Sequence, residues 1–283
     1  MRNVVRALKA MIAVGAAMTL LAPAAEGETI MEQIVVAHRG GAVTRFGEGT
    51  MLSYQDAVAN DAQILEGDIH WTKDSPNDSD SVGSIVIIHD STLDRITNCS
   101  GSVSSWLWTS IRDKCYVNVG VTSRPKLIRI NDLVAYANPL GKTLAINLKN
   151  STITTAQAKQ LWGHLRNSKV HLHASWSNRA ALYKVRDQDR ADSSRSINYA
   201  LSTDGAGGWP SVERVKSFGT YLYASKSIPK SQMNLYKAPG NNIKVILWTG
   251  NDDEDYVQMT ALEPYGVIVN DVKDFQAWRD DQV

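Results

Sequence analysis

Two histidines in this 283-residue chain end apolar runs, and each is followed at once by a charged residue. His38 and Arg39 follow a run that begins at Ile34, and His89 and Asp90 follow a second run further along the chain. A single histidine in such a place is more often a structural residue, although an imidazole can also exchange protons near neutral pH. Two histidines in matching positions, on either side of a pair of acids, favour a chemical site.

The pair of acids lies in the stretch LEGDIHWTKD. Because side chains alternate along a strand, Glu66, Asp68 and His70 are predicted to lie on one face. Neighbouring buried carboxylates repel each other unless a cation lies between them, and oxygen ligands of this kind suit Mg²⁺ or Ca²⁺. The alternative is a partly solvated strand end with surface acids. His70 is either a contact to substrate or metal or a structural residue.

These residues need a scaffold that brings strand ends together. Apolar residues make up 43% of the sequence and no long heptad or low-complexity tract appears, which excludes a coiled coil and a disordered chain. Short β-rich runs alternate with helix-forming stretches, as expected of βα units around a parallel sheet. The predicted strands are residues 34–38, 63–70, 143–149, 169–175, 196–202, 219–225, 243–249 and 265–270. Eight such runs predict an α/β fold, a (β/α)8 TIM barrel, whose catalytic residues project from the carboxyl ends of its strands.

The stretch 71–142 is too long for a simple connection after the second strand. It contains turn signals, the apolar run Ile85 to Ile88 and both cysteines of the chain. We predict that it forms a loop subdomain over the active site, with a short β-hairpin.

The first 24 residues have the pattern of a secretory signal peptide, because three cations precede an apolar stretch that ends in small residues. We expect cleavage near Ala24, a mature domain of residues 25–283 and a secreted or periplasmic location. A membrane-anchoring first helix is the alternative, although the stretch is short for a span. In an oxidising compartment Cys99 and Cys115 are expected to form a disulfide, with two buried free thiols as the alternative.

The charge of the chain gives no support for binding to nucleic acid. The formal net charge is +1, and loss of the three leader cations would leave about −2, whereas nucleic-acid binders usually carry a basic excess. No segment after the leader is long and apolar enough to cross a bilayer. A small-molecule substrate is therefore expected.

Four motifs carry a resemblance to a known family. They are H-R-G at residues 38–40, E-x-T at 48–50, E-x-D-x-x-x-T-K-D at 66–74 and H-D-x-x-L-D-R-x-T-x-x-x-G at 89–101. In order, spacing and residue type they resemble the glycerophosphodiester phosphodiesterase family. The likeness continues less sharply through LAINLKN, HASWSNRAAL, VILWTGND and YGVIVNDV, so it covers nearly the whole mature chain.

The resemblance implies a barrel that binds a divalent cation, Mg²⁺ or Ca²⁺, and hydrolyses a phosphodiester to an alcohol and a phosphomonoester. The substrate would be a glycerophosphodiester or a lipid headgroup. Arg39 and Lys149 would bind its phosphate oxygens. His38 and His89 would exchange the protons, with either one as acid or base, whether water or a substrate hydroxyl attacks. Glu48 would support the site or lie near the metal.

Asn147 is the largest departure from the family pattern, which usually has a third carboxylate ligand two residues before the lysine. Asn147 and Lys149 share a strand face, so the amide oxygen of Asn147 can reach a cation held by Glu66 and Asp68. An amide oxygen is an accepted ligand for Mg²⁺ and Ca²⁺ but brings no charge. We therefore expect a working but weaker metal site.

Several other features have less specific interpretations. His171 and His173 alternate onto one strand face, and a packed or hydrogen-bonded pair is favoured over a transition-metal site because no third ligand is evident. Trp248 is either a wall of the substrate site or a buried aromatic at the barrel rim. The glycine-rich stretch 204–209 is expected to form a mobile loop near the site entrance.

Two classes of function remain open from the sequence. The first is a secreted phosphodiesterase, or a phospholipase D-like enzyme of the same fold that acts on sphingomyelin or lysophospholipids. The second is a non-catalytic protein that binds phosphodiesters on the same scaffold. The presence of both histidines and both acids argues against the binding protein.

Overall fold

The predicted strands are present, and eight of them form a closed parallel barrel. The computed structural model describes residues 30–73, 82–119, 124–192 and 197–282. Its strands are β1 (Ile34–Ala37), β2 (Ile64–Trp71), β3 (Ile85–Ile87), β4 (Thr143–Leu148), β5 (Val170–Ser175), β6 (Ile197–Thr203), β7 (Tyr221–Ser225), β8 (Lys244–Gly250) and β9 (Gly266–Val269). β1 pairs in parallel with both β2 and β9, which closes the ring, and the remaining barrel strands pair in sequence order. The predicted (β/α)8 barrel is confirmed.

At least one helix follows each barrel strand. The α-helices are α1 (Val43–Phe46), α2 (Met51–Ala59), α3 (Trp108–Lys114), α4 (Ile130–Ala137), α5 (Thr155–Leu165), α6 (Arg179–Ala191), α7 (Val212–Lys216), α8 (Lys230–Lys237), α9 (Asp253–Thr260) and α10 (Val272–Asp280). Five of them begin at a hydroxyl or carboxylate side chain that accepts a hydrogen bond from the backbone N–H three residues later, as N-caps do. These caps are Thr50, Thr154, Ser211, Asp252 and Asp271.

The strands are buried on both faces, which explains their nearly continuous apolar runs. One face packs against the surrounding helices in a large core. The other face fills the barrel with a smaller cluster that includes Val36, Ile64, Ala145, Tyr223 and Ile246. Asp68 and Asn147 lie on this side towards the carboxyl ends of their strands, where the candidate site is located.

The segment between β2 and β4 builds a second, separate core beside the barrel. β3 pairs antiparallel with the end of β2, with Ile69 opposite Ile87. The expected hairpin therefore uses barrel strand β2 as its first arm and does not lie wholly inside the segment. Cys99 and Cys115 form a disulfide with Cα atoms 5.5 Å apart. Cys115 packs in the second core with side chains such as Trp108.

The expected signal peptide of residues 1–24 lies outside the described residues. Within the described ranges, no helix has the length and hydropathy needed to cross a membrane.

Candidate active site

The first histidine lies in a tight turn directly after β1. Residues His38–Gly40 form one 3₁₀ turn in which Arg39 has a φ of 51° and Gly40 a φ of 107°. A Cβ atom at Gly40 would lie 2.3 Å from the Ser53 hydroxyl oxygen on α2, so only glycine fits this close approach. The turn directs the backbone N–H of Arg39 towards Glu66, which accepts its hydrogen bond at 2.9 Å.

His38 is held through one ring nitrogen. Its Nδ1 lies 2.5 Å from Oδ1 of Asn270, the residue that follows β9. Because an amide oxygen only accepts, Nδ1 carries the proton and Nε2 keeps its lone pair. Burial, followed by the positive charge of Arg39, lowers the pKa of His38 to about 4. At neutral pH His38 is therefore an uncharged imidazole that can accept a proton.

His89 is held in the same way by a different partner. Its Nδ1 lies 2.7 Å from Oδ1 of Asp90. Hydrogen bonds from Arg95, with Nε 2.6 Å from Oδ2, lower the pKa of Asp90 well below its usual range. The contact with Asp90 fixes the His89 ring through Nδ1 and leaves Nε2 as the nitrogen that can exchange a proton.

Glu48 connects the surroundings of the two histidines. This buried carboxylate accepts a hydrogen bond from Arg39 Nη1 at 2.9 Å and another from Arg95 Nη2 at 2.5 Å. Ion pairs thus run from the turn after β1 to the segment after β3. Glu48 was expected to support the site or lie near the metal, and its carboxylate binds two arginines of the site.

The two acids of β2 are both buried but differ in their surroundings. Lys149 Nζ lies 3.1 Å from Oδ1 of Asp68, and Arg39 Nε lies 3.5 Å from its other oxygen. Burial alone would raise the pKa of Asp68, but these cations and His89 lower it. Burial and the negative charge of Asp68 raise the pKa of Glu66 to about 8. Glu66 therefore lacks a compensating cation of its own.

The acids and Asn147 have a donor set that suits a hard divalent cation. Asp68 Oδ2 is buried with no hydrogen-bond partner in the described residues. Asn147 lies opposite Asp68 in the sheet register, and its Nδ2 donates to Asp68 Oδ1 at 2.9 Å. In the described ranges no three His, Cys, Asp or Glu side chains form a metal cluster, so a cation would rest on Glu66, Asp68 and the amide oxygen of Asn147.

These groups surround one cavity at the carboxyl end of the barrel. It has a volume of about 180 Å³ and is lined by both histidines, Arg39, Glu66, Asp68, Asn147, Lys149 and Trp248. A second cavity of about 510 Å³ adjoins it, because Asn147, Lys149 and Trp248 line both. Gly207 and Gly208 of the 204–209 loop also line the second cavity, so the loop lies at the site as predicted.

The remaining histidines take structural positions. His70 Nε2 donates to the carbonyl oxygen of His89 at 3.1 Å, and His70 does not line the cavity. His171 Nδ1 lies 2.8 Å from the Tyr223 hydroxyl, and the ring of His173 stacks on Tyr223 at 4.1 Å. The predicted packed or hydrogen-bonded pair is what the structure shows, although the edge of His173 also lines the 180 Å³ cavity.

Comparisons with known proteins agree with this geometry. The model of the glycerophosphoryl diester phosphodiesterase family matches residues 38–274. The chain belongs to this family of phosphoric diester hydrolases. It is 24% identical over 251 residues to the glycerophosphodiester phosphodiesterase of Caldanaerobacter subterraneus subsp. tengcongensis, covering 85% of this chain and 95% of that protein. Shorter matches of 127 and 122 residues span 46% and 45% of two proteins from Bacillus subtilis and Bacillus altitudinis.

Solved structures of the family share the fold. A candidate glycerophosphoryl diester phosphodiesterase from Silicibacter pomeroyi superposes with a TM-score of 0.73 at 16% identity, over 88% of this chain and 94% of that one. An Oleispira antarctica phosphodiesterase, solved with the product sn-glycerol-3-phosphate, gives a TM-score of 0.71 at 17% identity, over 89% of this chain and all of the other.

The sequence analysis did not predict the roles of three residues in the site of this protein. Asn270 holds His38, while Asp90 and Arg95 hold and support His89. Asp90 and Arg95 lie within one of the family motifs. The sequence feature that could have indicated Asn270 is a polar residue directly after a strand. Their roles depend on contacts between distant strands, which spacing along the chain does not reveal.

Proposed function

We propose that this protein hydrolyses glycerophosphodiesters to an alcohol and glycerol phosphate, with a divalent cation, Mg²⁺ or Ca²⁺, bound in the site. One observation carries the proposal: His38 and His89 are each held through Nδ1, so both present Nε2 to a cavity that Arg39 and Lys149 also line. The product bound to the Oleispira antarctica enzyme supports glycerol phosphate as the product.

The chain's own residues can carry out both proton transfers. The uncharged His38 takes the proton of the attacking oxygen, which belongs to water or to a substrate hydroxyl, as that oxygen bonds to phosphorus. The bond from phosphorus to the leaving oxygen breaks, and His89 gives that oxygen a proton from Nε2. Arg39 and Lys149 stabilise the charge that develops on the phosphoryl oxygens.

A bound cation would add Lewis-acid stabilisation of the phosphoryl oxygens. Glu66 and Asp68 would hold it with two charges, and Asn147 would add a neutral oxygen. The raised pKa of Glu66 fits this role, since a cation would return that carboxyl to its ionised form.

Export of the protein is part of the proposal. The leader pattern of residues 1–24 and the disulfide between Cys99 and Cys115 both suit an oxidising compartment outside the cytoplasm. N-terminal sequencing of the mature protein from culture medium or periplasm tests this part, with cleavage near Ala24 as the expected result.

Hydrolysis is tested with purified protein, Mg²⁺ or Ca²⁺, and three kinds of substrate. Glycerophosphoglycerol and glycerophosphocholine should release glycerol phosphate, whereas vesicles of sphingomyelin or lysophosphatidylcholine should not be cleaved. His38→Ala and His89→Ala should each lower kcat by about 100-fold or more, because each ring handles a different proton.

His164→Gln is the matched control, since His164 lies on α5 outside both cavities. Cleavage of the vesicles alone would favour the phospholipase D-like enzyme. Near-normal turnover by a well-folded His89→Ala protein would contradict the catalytic assignment, and binding without any hydrolysis would leave a phosphodiester-binding protein.

A further inference from the structure

The 510 Å³ cavity is where the leaving alcohol of a phosphodiester would lie. It adjoins the catalytic cavity through Lys149 and Trp248, which line both. Its volume falls in the range of about 300–1,000 Å³ that holds drug-sized ligands. The cavity is therefore larger than a single small alcohol needs, and its wall chemistry indicates what else the substrate carries.

One cation in the wall of this cavity, Arg214, forms no ion pair in the described part of the chain. Lys149 already pairs with Asp68, but the Arg214 guanidinium has no carboxylate partner in the described part of the chain. The acid that lines the cavity in the described ranges is Asp204, whose Oδ1 accepts a hydrogen bond from the backbone N–H of Ala206 at 2.9 Å. Arg214 is thus a cation outside any ion pair, at the surface of a substrate-sized cavity whose wall also holds the carboxylate of Asp204.

One of the two tryptophan rings in the cavity wall, that of Trp176, is already in contact with cations. The guanidinium carbon of Arg179 lies 4.3 Å from the centroid of the Trp176 ring, and that of Arg214 lies 4.6 Å from it. An aromatic ring often binds a quaternary ammonium group through its face. At Trp176 such a group would have to displace a guanidinium and lie beside a like charge, so Trp176 disfavours choline.

Hydroxyl groups make up much of the remaining wall. Ser175, Ser177, Ser202 and Thr203 all line the cavity. Hydroxyls both donate and accept hydrogen bonds, as do the hydroxyls of a polyol. The walls therefore suit a ligand that combines hydroxyl groups with negative charge.

We propose that the preferred leaving alcohol is a polyol that carries a second phosphate, and that Arg214 binds this phosphate. The proposal rests on the proposed function and names its substrate class. A guanidinium binds phosphate oxygens through two parallel hydrogen bonds, and the Trp176 ring beneath it limits the orientations the guanidinium adopts.

Hydrolysis of matched substrates tests the preference. Bis(glycerophospho)glycerol has the second phosphate, glycerophosphoglycerol lacks it, and glycerophosphocholine has a cation in its place. We expect kcat/KM to be at least about tenfold higher for the first than for the second, beyond the factor of about two for its two equivalent bonds, since one charge-assisted hydrogen bond contributes about that much. The value should be lowest for glycerophosphocholine.

The role of Arg214 is measured by the ratio of kcat/KM for bis(glycerophospho)glycerol to kcat/KM for glycerophosphoglycerol. Arg214→Gln should reduce this ratio about tenfold, and Arg214→Lys should restore part of it because the charge returns. Lys216→Gln is the matched control: Lys216 lies on the same helix and carries the same charge, but it donates to the Gly240 carbonyl and lines neither cavity. It should leave the ratio unchanged.

Calorimetric binding separates failure of this proposal from failure of the proposed function. A His38→Ala/His89→Ala protein should bind bis(glycerophospho)glycerol at least about tenfold more tightly than glycerophosphoglycerol, and addition of Arg214→Gln should remove the difference. A binding preference without hydrolysis by the wild-type protein would reject the proposed function and retain this inference. Equal affinities, or an equal effect of Arg214→Gln on both ligands, would overturn the inference.

Discussion

Asn147 determines how many negative charges would face the proposed cation. Glu66 and Asp68 provide two, and the amide at position 147 stands where the family pattern usually has a third carboxylate. The same amide donates to Asp68 and so stabilises the buried acid when no cation is bound. An amide at position 147 would therefore lower the affinity for the metal but raise the stability of the metal-free protein.

Replacement of Asn147 by a carboxylate should have both opposite effects, on metal affinity and on stability without metal. Asn147→Glu is expected to tighten binding of Mg²⁺ or Ca²⁺ about tenfold or more, because a third charged oxygen ligand faces the cation. In the presence of a chelator the same variant should melt at a lower temperature than the wild-type protein, because three buried carboxylates then repel one another.

Calorimetric titration and thermal unfolding measure both effects without an activity assay. Asn147→Gln keeps the neutral amide and adds the same methylene as glutamate, so it controls for size. If Asn147→Glu bound the cation no better than Asn147→Gln, position 147 would not be a ligand.

Elements were easier to predict than the contacts between them. All eight barrel strands begin and end within two residues of the predicted limits, because a strand buried on both faces is a local apolar run. The alternation of Glu66 and Asp68 placed both acids on one face. The partner of His38 could not be found in this way, since Asn270 is 232 residues away and meets His38 only when the barrel closes.

The segment between β2 and β4 is stabilised by the disulfide as well as by its own small core. Cys99→Ser/Cys115→Ser should lower the free energy of unfolding of this segment by roughly 3 kcal/mol on a chain-entropy estimate for a loop of this length. Arg95 lies just before the bridge, so a loosened segment should also weaken its ion pair with Glu48.

Hydrogen exchange resolved by residue measures this loss, and we expect faster exchange in residues 89–119 with little change in the barrel strands. Alkylation with intact-mass analysis of the native protein provides the direct check. Two freely alkylated thiols would show that the bridge does not form.

Across the whole molecule, uncharged buried histidines should make the fold sensitive to acid. Burial lowers the pKa of His171 to about 4 and that of His173 to about 3. The pKa of His38 is lowered to about 4 as well. An unfolded histidine titrates near 6.5, so the unfolded state binds more protons than the folded state below that pH. Glu66, with its raised pKa, acts in the opposite direction, but it is one group against four histidines, since burial also lowers the pKa of His70.

Stability should therefore be greatest above about pH 6.5 and fall as the pH decreases towards 4, by up to about 1.4 kcal/mol per pH unit for each such histidine. Thermal unfolding between pH 7 and pH 4.5 measures the loss. His173→Phe keeps a ring against Tyr223 and should reduce the loss, because one of the four histidines with a lowered pKa no longer binds a proton on unfolding.

His164→Gln again serves as the control, because this histidine lies in the last turn of α5, on a helix outside the barrel strands. An identical pH profile for wild type and His173→Phe would mean that the interior histidines do not govern the acid response.

The hydrogen bond between His38 and Asn270 joins the first strand of the ring to the residue after the last. During synthesis or refolding, most of the chain can form its βα units before these two residues meet. The catalytic cavity is then completed only by the final closure step, and a chain that stops before Asn270 lacks one of its two histidine supports. Recovery of enzyme activity during refolding would consequently report ring closure itself, while circular dichroism would follow the earlier formation of helices and strands. A hydrolase of this design stays inactive until its synthesis is essentially complete.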